Sequence, residues 1–370
     1  MYEAMMFSTT TIKDKNEEIL QLFKQGALEK ALQLALKLSN NTNNRNPEDL
    51  IDTNNNLGLI YKAMHSYNQA EKYFLKVLGL SPNDDIATYN LADVYFELGI
   101  YNKAEELYLN TIKTMRKKYG NYHIDLSSAL NNLANFYYAI GSYSQAEQSL
   151  LQVIDIRRNV LSDKDALFAQ TLCNLATLYD VMGRTSDAIE LHEQALNIRR
   201  EILSADDPAI ARSLNNIAVM YRIVGRYPDA INFYQQAISI FSKSNKYKRA
   251  HAEALHNLGR VFQEVGNFEK AHELFIKSKN IVINLLGEEH IETANIYDSL
   301  ANLLVALDNK DDAYKLKLKA ITIHNRILSK VLSFVSEKQR MAYLASQKRR
   351  NDVFISLVMR YFKNSDIHIR

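Results

Sequence analysis

The sequence predicts an all-α protein, a right-handed superhelix of about eight helical hairpins closed by a C-terminal helical cap. Three observations carry that expectation. A motif recurs along the chain with a spacing of about 42 residues. Its apolar and aromatic residues fall at helical intervals. Residues that make sheet turns and linkers are scarce, with 11 glycines and 4 prolines in 370 residues.

The motif reads Asn-Leu-Ala, then an aromatic, Gly, an aromatic, Ala, and a further large residue. Asn90-Leu91-Ala92 leads to Tyr95, Gly99, Tyr101, Ala104 and Tyr108, and Asn132-Leu133-Ala134 leads to Tyr137, Gly141, Tyr143, Ala146 and Leu150. Asn174, Asn216 and Asn257 open three more copies. Weaker copies flank them: Asn56-Leu57-Gly58 has His65 at the glycine position, and Ser299-Leu300-Ala301 has Asp308 there. Gly26, Leu28 and Ala31 form the second half of a degenerate first copy. The second-helix alanines fall at 31, 70, 104, 146, 188, 230, 271 and 313, which counts eight repeats. Self-similarity at such a period is the signature of a stacked repeat array.

Each residue type has a physical reason. A small Ala or Gly after Asn-Leu lets the first helix approach the alanine of the second. The recurring glycine sits where the first helix ends and supplies a left-handed terminating residue. Aromatics fill the space between helices. One hairpin cannot bury its apolar face alone, so neighbours must stack, and a single undivided array over 17–330 is expected between a tail (1–16) and a terminal segment (331–370).

These residues resemble the tetratricopeptide repeat family. Ile156-Arg157-Arg158 and Ile198-Arg199-Arg200, closing second helices before Leu161 and Leu203, together with the Asp207-Pro208 connector, are similar to the kinesin light chain variety. The resemblance implies a concave groove lined by first helices, with peptide-contacting positions that include the residue before each Leu-Ala or Leu-Gly pair. Here that residue is Asn56, Asn90, Asn132, Asn174, Asn216 and Asn257, with Ser299 closing the series. Amide side chains offer both donors and an acceptor to an extended peptide. The same amides also suit bonds to a neighbouring helix that fix repeat geometry. Both readings stand at this point.

Helical spacing adds neighbours to the same face. Tyr89, Asn131, Asn215 and His256 precede ladder positions, and Asn135 and Arg260 follow them by three. Pockets beside Tyr89, Tyr138 and Arg260 are expected to set specificity. Arg212, Arg222 and Arg260 form the one candidate basic patch, suited to an acidic stretch of partner, against the plainer reading of scattered solvated arginines. The early repeats lack the basic residues of a carboxylate clamp.

Charge is balanced, with 45 basic and 42 acidic residues, which argues against a nucleic-acid partner. No apolar run of about 18 residues predicts a membrane span. The single cysteine, Cys173, fits a reducing compartment, so the cytoplasm is expected; the thiol itself lies beside Asn174 on the groove side. His251, Glu253 and His256 lack metalloprotease spacing, and no phosphate-binding loop appears. No catalytic apparatus, cofactor or metal is therefore expected. Beyond Ala320 the pattern stops. Leu332–Leu344 resembles the segment that joins such repeats to caspase-like CHAT protease domains in bacteria, which implies a protease partner in cis or in trans. The alternative is a cap built on Phe354, Leu357, Val358, Tyr361 and Phe362, with Lys348-Arg349-Arg350 as a solvated face. The expected function is a non-enzymatic adaptor that holds a peptide or protein; the alternative is the sensor half of such a protease.

Overall fold

The computed structural model describes residues 11–40, 46–161 and 164–332, and these contain sixteen α-helices and no strand. The chain groups into two compact units, residues 1–178 and 179–370. Each hairpin touches chiefly its neighbours, so contacts in such a chain stay local.

In the first unit α1 (Ile12–Lys24) pairs with α2 (Leu28–Asn40), α3 (Pro47–Ala63) with α4 (Tyr67–Leu80), α5 (Asp85–Glu97) with α6 (Tyr101–Tyr119), and α7 (Ile124–Ala139) with α8 (Tyr143–Val160). Helix α9 (Ala166–Val181) follows. In the second unit α10 (Thr185–Ile202) precedes the pairs α11 (Pro208–Ile223) with α12 (Tyr227–Phe241), α13 (Lys248–Glu264) with α14 (Phe268–Leu286), and α15 (Ile291–Ala306) with α16 (Lys310–Leu332). Helix α1 starts at Ile12, inside the stretch read as a tail, because Thr11 and Asp14 form a capping box.

The motif residues take the places their chemistry requires. All eight second-helix alanines are fully buried. Gly99, Gly141, Gly183, Gly225 and Gly266 end first helices at φ between 74° and 80°. The residue after the glycine donates back five positions, as in Ile100 N–H to Tyr95 O (2.8 Å) and Arg226 N–H to Tyr221 O (2.8 Å). First helices begin on side-chain caps: Asp84 accepts from Ala87 N–H and Asp207 from Ala209 N–H, both at 2.7 Å.

Successive repeats are also bonded through polar groups. The Tyr95 hydroxyl donates to Glu71 (2.9 Å) and Tyr137 to Glu105 (2.8 Å), each reaching the second helix of the preceding repeat. Arg157 is buried and donates to Ser127 Oγ (3.1 Å), Thr171 Oγ1 (2.7 Å) and the Leu167 carbonyl (2.7 Å). In the second unit Arg199 makes the matching bond to Ser213 Oγ (2.6 Å). The first arginine of each Arg-Arg pair is thus an interior clamp between repeats, while Arg158 and Arg200 are exposed. The Leu332–Leu344 segment after its first residue, the Lys348–Arg350 run and the proposed cap residues lie outside the described residues.

Candidate functional site

The ladder asparagines occupy one register on the first helices, and the structure gives several of them partners in the preceding repeat. Asn56 is buried and donates Nδ2–H to Asn16 Oδ1 (3.2 Å). Asn174 donates to Asn131 Oδ1 (2.9 Å) and accepts from Gln170 (2.9 Å). Ser299 meets His256 Nε2 at 2.8 Å, and Asn132 meets the Tyr89 hydroxyl. In the last three cases the residue just before one ladder position bonds the ladder residue of the next repeat. Asn90 departs from the rule: it donates to the Ile86 carbonyl (3.0 Å) and accepts from Lys62 (3.3 Å). Asn216 and Asn257 are half-buried and make no side-chain hydrogen bond among the described residues. Asn135 is exposed and equally free of such bonds.

Asn55 and Asn215 sit one before Asn56 and Asn216, at the steps toward Asn90 and Asn257 where the sideways bond does not form. Their Oδ1 atoms are buried without a hydrogen-bond partner. Cys173 is buried too, against the expectation that it faces the groove, because α9 turns it into the core beside Leu172 and Leu175.

A polar network centres on Asp93. Lys62 forms an ion pair with it, and the Tyr108 and Tyr89 hydroxyls bond the same carboxylate. Burial, and then the Asp93 charge, hold both phenols protonated far above their usual range. Tyr89 packs on Tyr108 with ring centroids 5.7 Å apart, and His256 packs on Phe275 in the same register at 5.3 Å.

Two clefts open beside these two residues. The first, about 560 Å³, is lined by Ile86, Tyr89, Met115, Asp125, Ser128 and Asn132 among others. The second, about 510 Å³, is lined by Glu253, His256, Val282, Glu292, Asn295 and Ile296 among others. They are the same cleft repeated, one per unit: every residue named in the first has its counterpart 167 positions on, apart from Asn132. A smaller cleft of about 110 Å³ lies between Asn135, Tyr138, Leu150, Asn174 and Thr177. Lys118 stands over Tyr119 at the first cleft, whereas Arg249 pairs with Glu292 at the second. Burial and then the Arg260 charge depress the His256 imidazole to about 4, so it is neutral at pH 7.

The basic patch contracts from three arginines to two. Arg222 lies close enough for its charge to act on Arg260, as does that of Glu264, and Arg222 pairs with Glu264 at 2.7 Å. Arg212 is exposed and is not among the charges acting on Arg260. Sequence reasoning missed Glu264 and the Lys62–Asp93 pair. Their signal is the spacing between a first-helix position and the facing position one repeat on.

No group of residues among those described is arranged to hold a metal ion, and no described helix is long and apolar enough to cross a membrane. Stacked antiparallel helical hairpins with Gly-terminated first helices and a polar, cleft-bearing first-helix face define the helical-repeat class of interaction scaffolds. Tetratricopeptide-repeat family models match residues 51–84, 84–159, 167–243 and 251–326, and the chain belongs to that family. Among solved structures it is similar to the apo form of the quorum sensor NprR from B. thuringiensis (17% identity, TM-score 0.64, 84% of this chain and 86% of that one). It is similar also to BtubC (BKLC) from P. vanneervenii (18%, 0.52, 66% and 94%) and to nearly identical TPR-like repeats of a putative kinesin light chain from Podosopora anserina (24%, 0.49, 55% and 98%). No curated protein resembles the chain closely enough to count as a relative.

Proposed function

We propose that this protein is a non-enzymatic adaptor whose first-helix face holds a peptide or an extended segment of a protein partner. The recurrence of one cleft at the same register in both units supports this reading most strongly. Each cleft pairs an aromatic or imidazole floor with amide, hydroxyl and carboxylate groups at its rim. That combination suits a side chain anchored in a pocket while its backbone runs across polar residues. The two clefts differ in charge, so each selects a different side chain. Asn135, Asn216 and Asn257 supply amides to the bound backbone, while Asn132 bonds the Tyr89 hydroxyl of the neighbouring repeat. Asn56 and Asn174 serve the repeat stack, since their bonds run to neighbouring helices. The cytoplasm is the compartment in which a lone buried thiol and no disulfide fit best.

The test avoids residues that hold the stack. Ser128 and Asn135 are exposed, so Ser128→Arg with Asn135→Ala obstructs the first-helix face without opening the core. Affinity capture from native lysate, compared between wild type and this variant, should recover a partner with wild type alone. The melting temperature should change by less than about 2 °C, as expected for surface substitutions. A partner retained by both proteins places the binding surface elsewhere.

A further inference from the structure

The outward faces of the second helices differ along the chain. Leu75 on α4, Leu109 on α6 and Leu151 on α8 are 48%, 46% and 46% exposed. Each stands five residues after the buried alanine of its repeat, about 140° round the helix from the side that packs on the first helix. The next two repeats carry Glu193 and Gln235 at this position. A lone exposed leucine is ordinary, but leucines at one register of three successive repeats make a continuous apolar stripe. The helices that carry them are neighbours in the stack: Arg116 on α6 donates to Gln152, which follows Leu151 on α8.

The charges around the middle leucine complement themselves. Positions three before and four after a residue share its helix face. Around Leu109 they are Glu106 and Lys113, both exposed and neither with an ion pair or side-chain hydrogen bond among the described residues. A two-fold axis running along the stack past Leu109 lays α6 antiparallel on α6 of a second copy. Leu109 then meets its own counterpart, as do Leu75 and Leu151. Glu106 of each copy meets Lys113 of the other. A two-fold axis running along the helices instead opposes Glu106 to Glu106 and Lys113 to Lys113, which weakens binding. The charge pattern therefore selects one orientation.

We infer that the outward faces of α4, α6 and α8 bind a second copy of this chain, two-fold and antiparallel, with Leu109 on the axis. Three helices about 10 Å apart, in contact over about 20 Å of their length, bury about 600 Å² per copy. The total of about 1,200 Å² is the small end of specific interfaces. The pair therefore forms at micromolar concentration, and Leu151 stands free at nanomolar concentration. None of these residues lines the first cleft, so the pair presents that cleft twice. A partner carrying two copies of a bound segment is thereby held more tightly than one chain allows. The pairing itself does not depend on what the cleft holds.

Sedimentation velocity of the full chain from about 0.1 to about 100 μM tests this, a range that brackets an interface of this size. Wild type should pass from a 42.5 kDa species to one of twice that mass as concentration rises. Leu109→Arg sets two cations together on the axis and should weaken association by about tenfold or more. Lys113→Glu should weaken it about tenfold, since each substitution acts twice across the axis. Glu106→Lys added to Lys113→Glu exchanges the two charges and should restore wild-type association. These side chains are exposed, so every variant should keep the wild-type melting temperature within about 2 °C. A wild type that stays monomeric throughout overturns the inference. So does association that Leu109→Arg leaves unchanged, which places the contact on another surface. Failure of the double exchange to recover what Lys113→Glu loses overturns the antiparallel pairing, and the inference with it.

Discussion

Gly58 and Gly259 hold the small position of their motif where other repeats use alanine, and the structure gives the reason. A Cβ built at Gly259 would stand 2.7 Å from Phe275, and one at Gly58 would stand 2.5 Å from Phe74. Both phenylalanines are fully buried and fixed by the surrounding helices. Tyr108 and Tyr234 take the same register opposite Ala92 and Ala218, so the glycines answer the close placing of these two phenylalanine rings and not the mere presence of an aromatic. Gly259→Ala should destabilise the fold by about 1–3 kcal/mol through overpacking, read as a lower urea midpoint. Adding Phe275→Leu should recover part of the loss. An unchanged midpoint for the single variant would show that Phe275 moves aside freely.

Helix termination belongs to the level of the element. Eight turns between first and second helices use a left-handed residue, and two of these are His65 at φ 56° and Asp308 at φ 58° in place of glycine. A non-glycine residue pays a steric penalty there of about 1–2 kcal/mol. The Asp308 side chain is 83% exposed and pairs with Lys310 at 2.9 Å, a contact of little worth at the surface. Asp308→Gly should therefore raise stability by about 0.5–1 kcal/mol in urea unfolding. A loss of stability would mean that the ion pair outweighs the backbone. Much of this level was legible from sequence. The alanine and glycine positions gave eight hairpins, because one backbone geometry recurs and admits few residue types. The roles of the asparagines were not legible. Asn174 and Asn135 are both polar first-helix residues, but one bonds Asn131 a repeat away and the other is exposed. That difference depends on the rotation between neighbouring hairpins, which no single repeat encodes.

For the molecule as a whole, two buried histidines tie stability to pH. Burial, aided by Arg199, depresses His192 to about 4, and His256 is likewise held at about 4 by burial and Arg260. The unfolded chain binds these protons near 6.5 and the folded chain does not until near 4. Stability is therefore fully present above about pH 6.5 and falls as pH drops toward 4, by up to about 1.4 kcal/mol per pH unit for each histidine. His192→Gln should flatten the part of this slope that His192 carries, measured as urea midpoints from pH 7.5 to 4. A slope the same in wild type and variant would show that His192 titrates normally.

The central claim is that the partner lies along the first helices, and site-specific photocrosslinking tests it directly. A photoreactive residue at Asn135 stands on the first-helix face, whereas Leu151, 46% exposed, sits on the second helix of the same hairpin. With native lysate and irradiation, the Asn135 probe should form a discrete covalent adduct and the Leu151 probe none. An adduct at Leu151 with none at Asn135 would place the partner on the second-helix face and contradict the account.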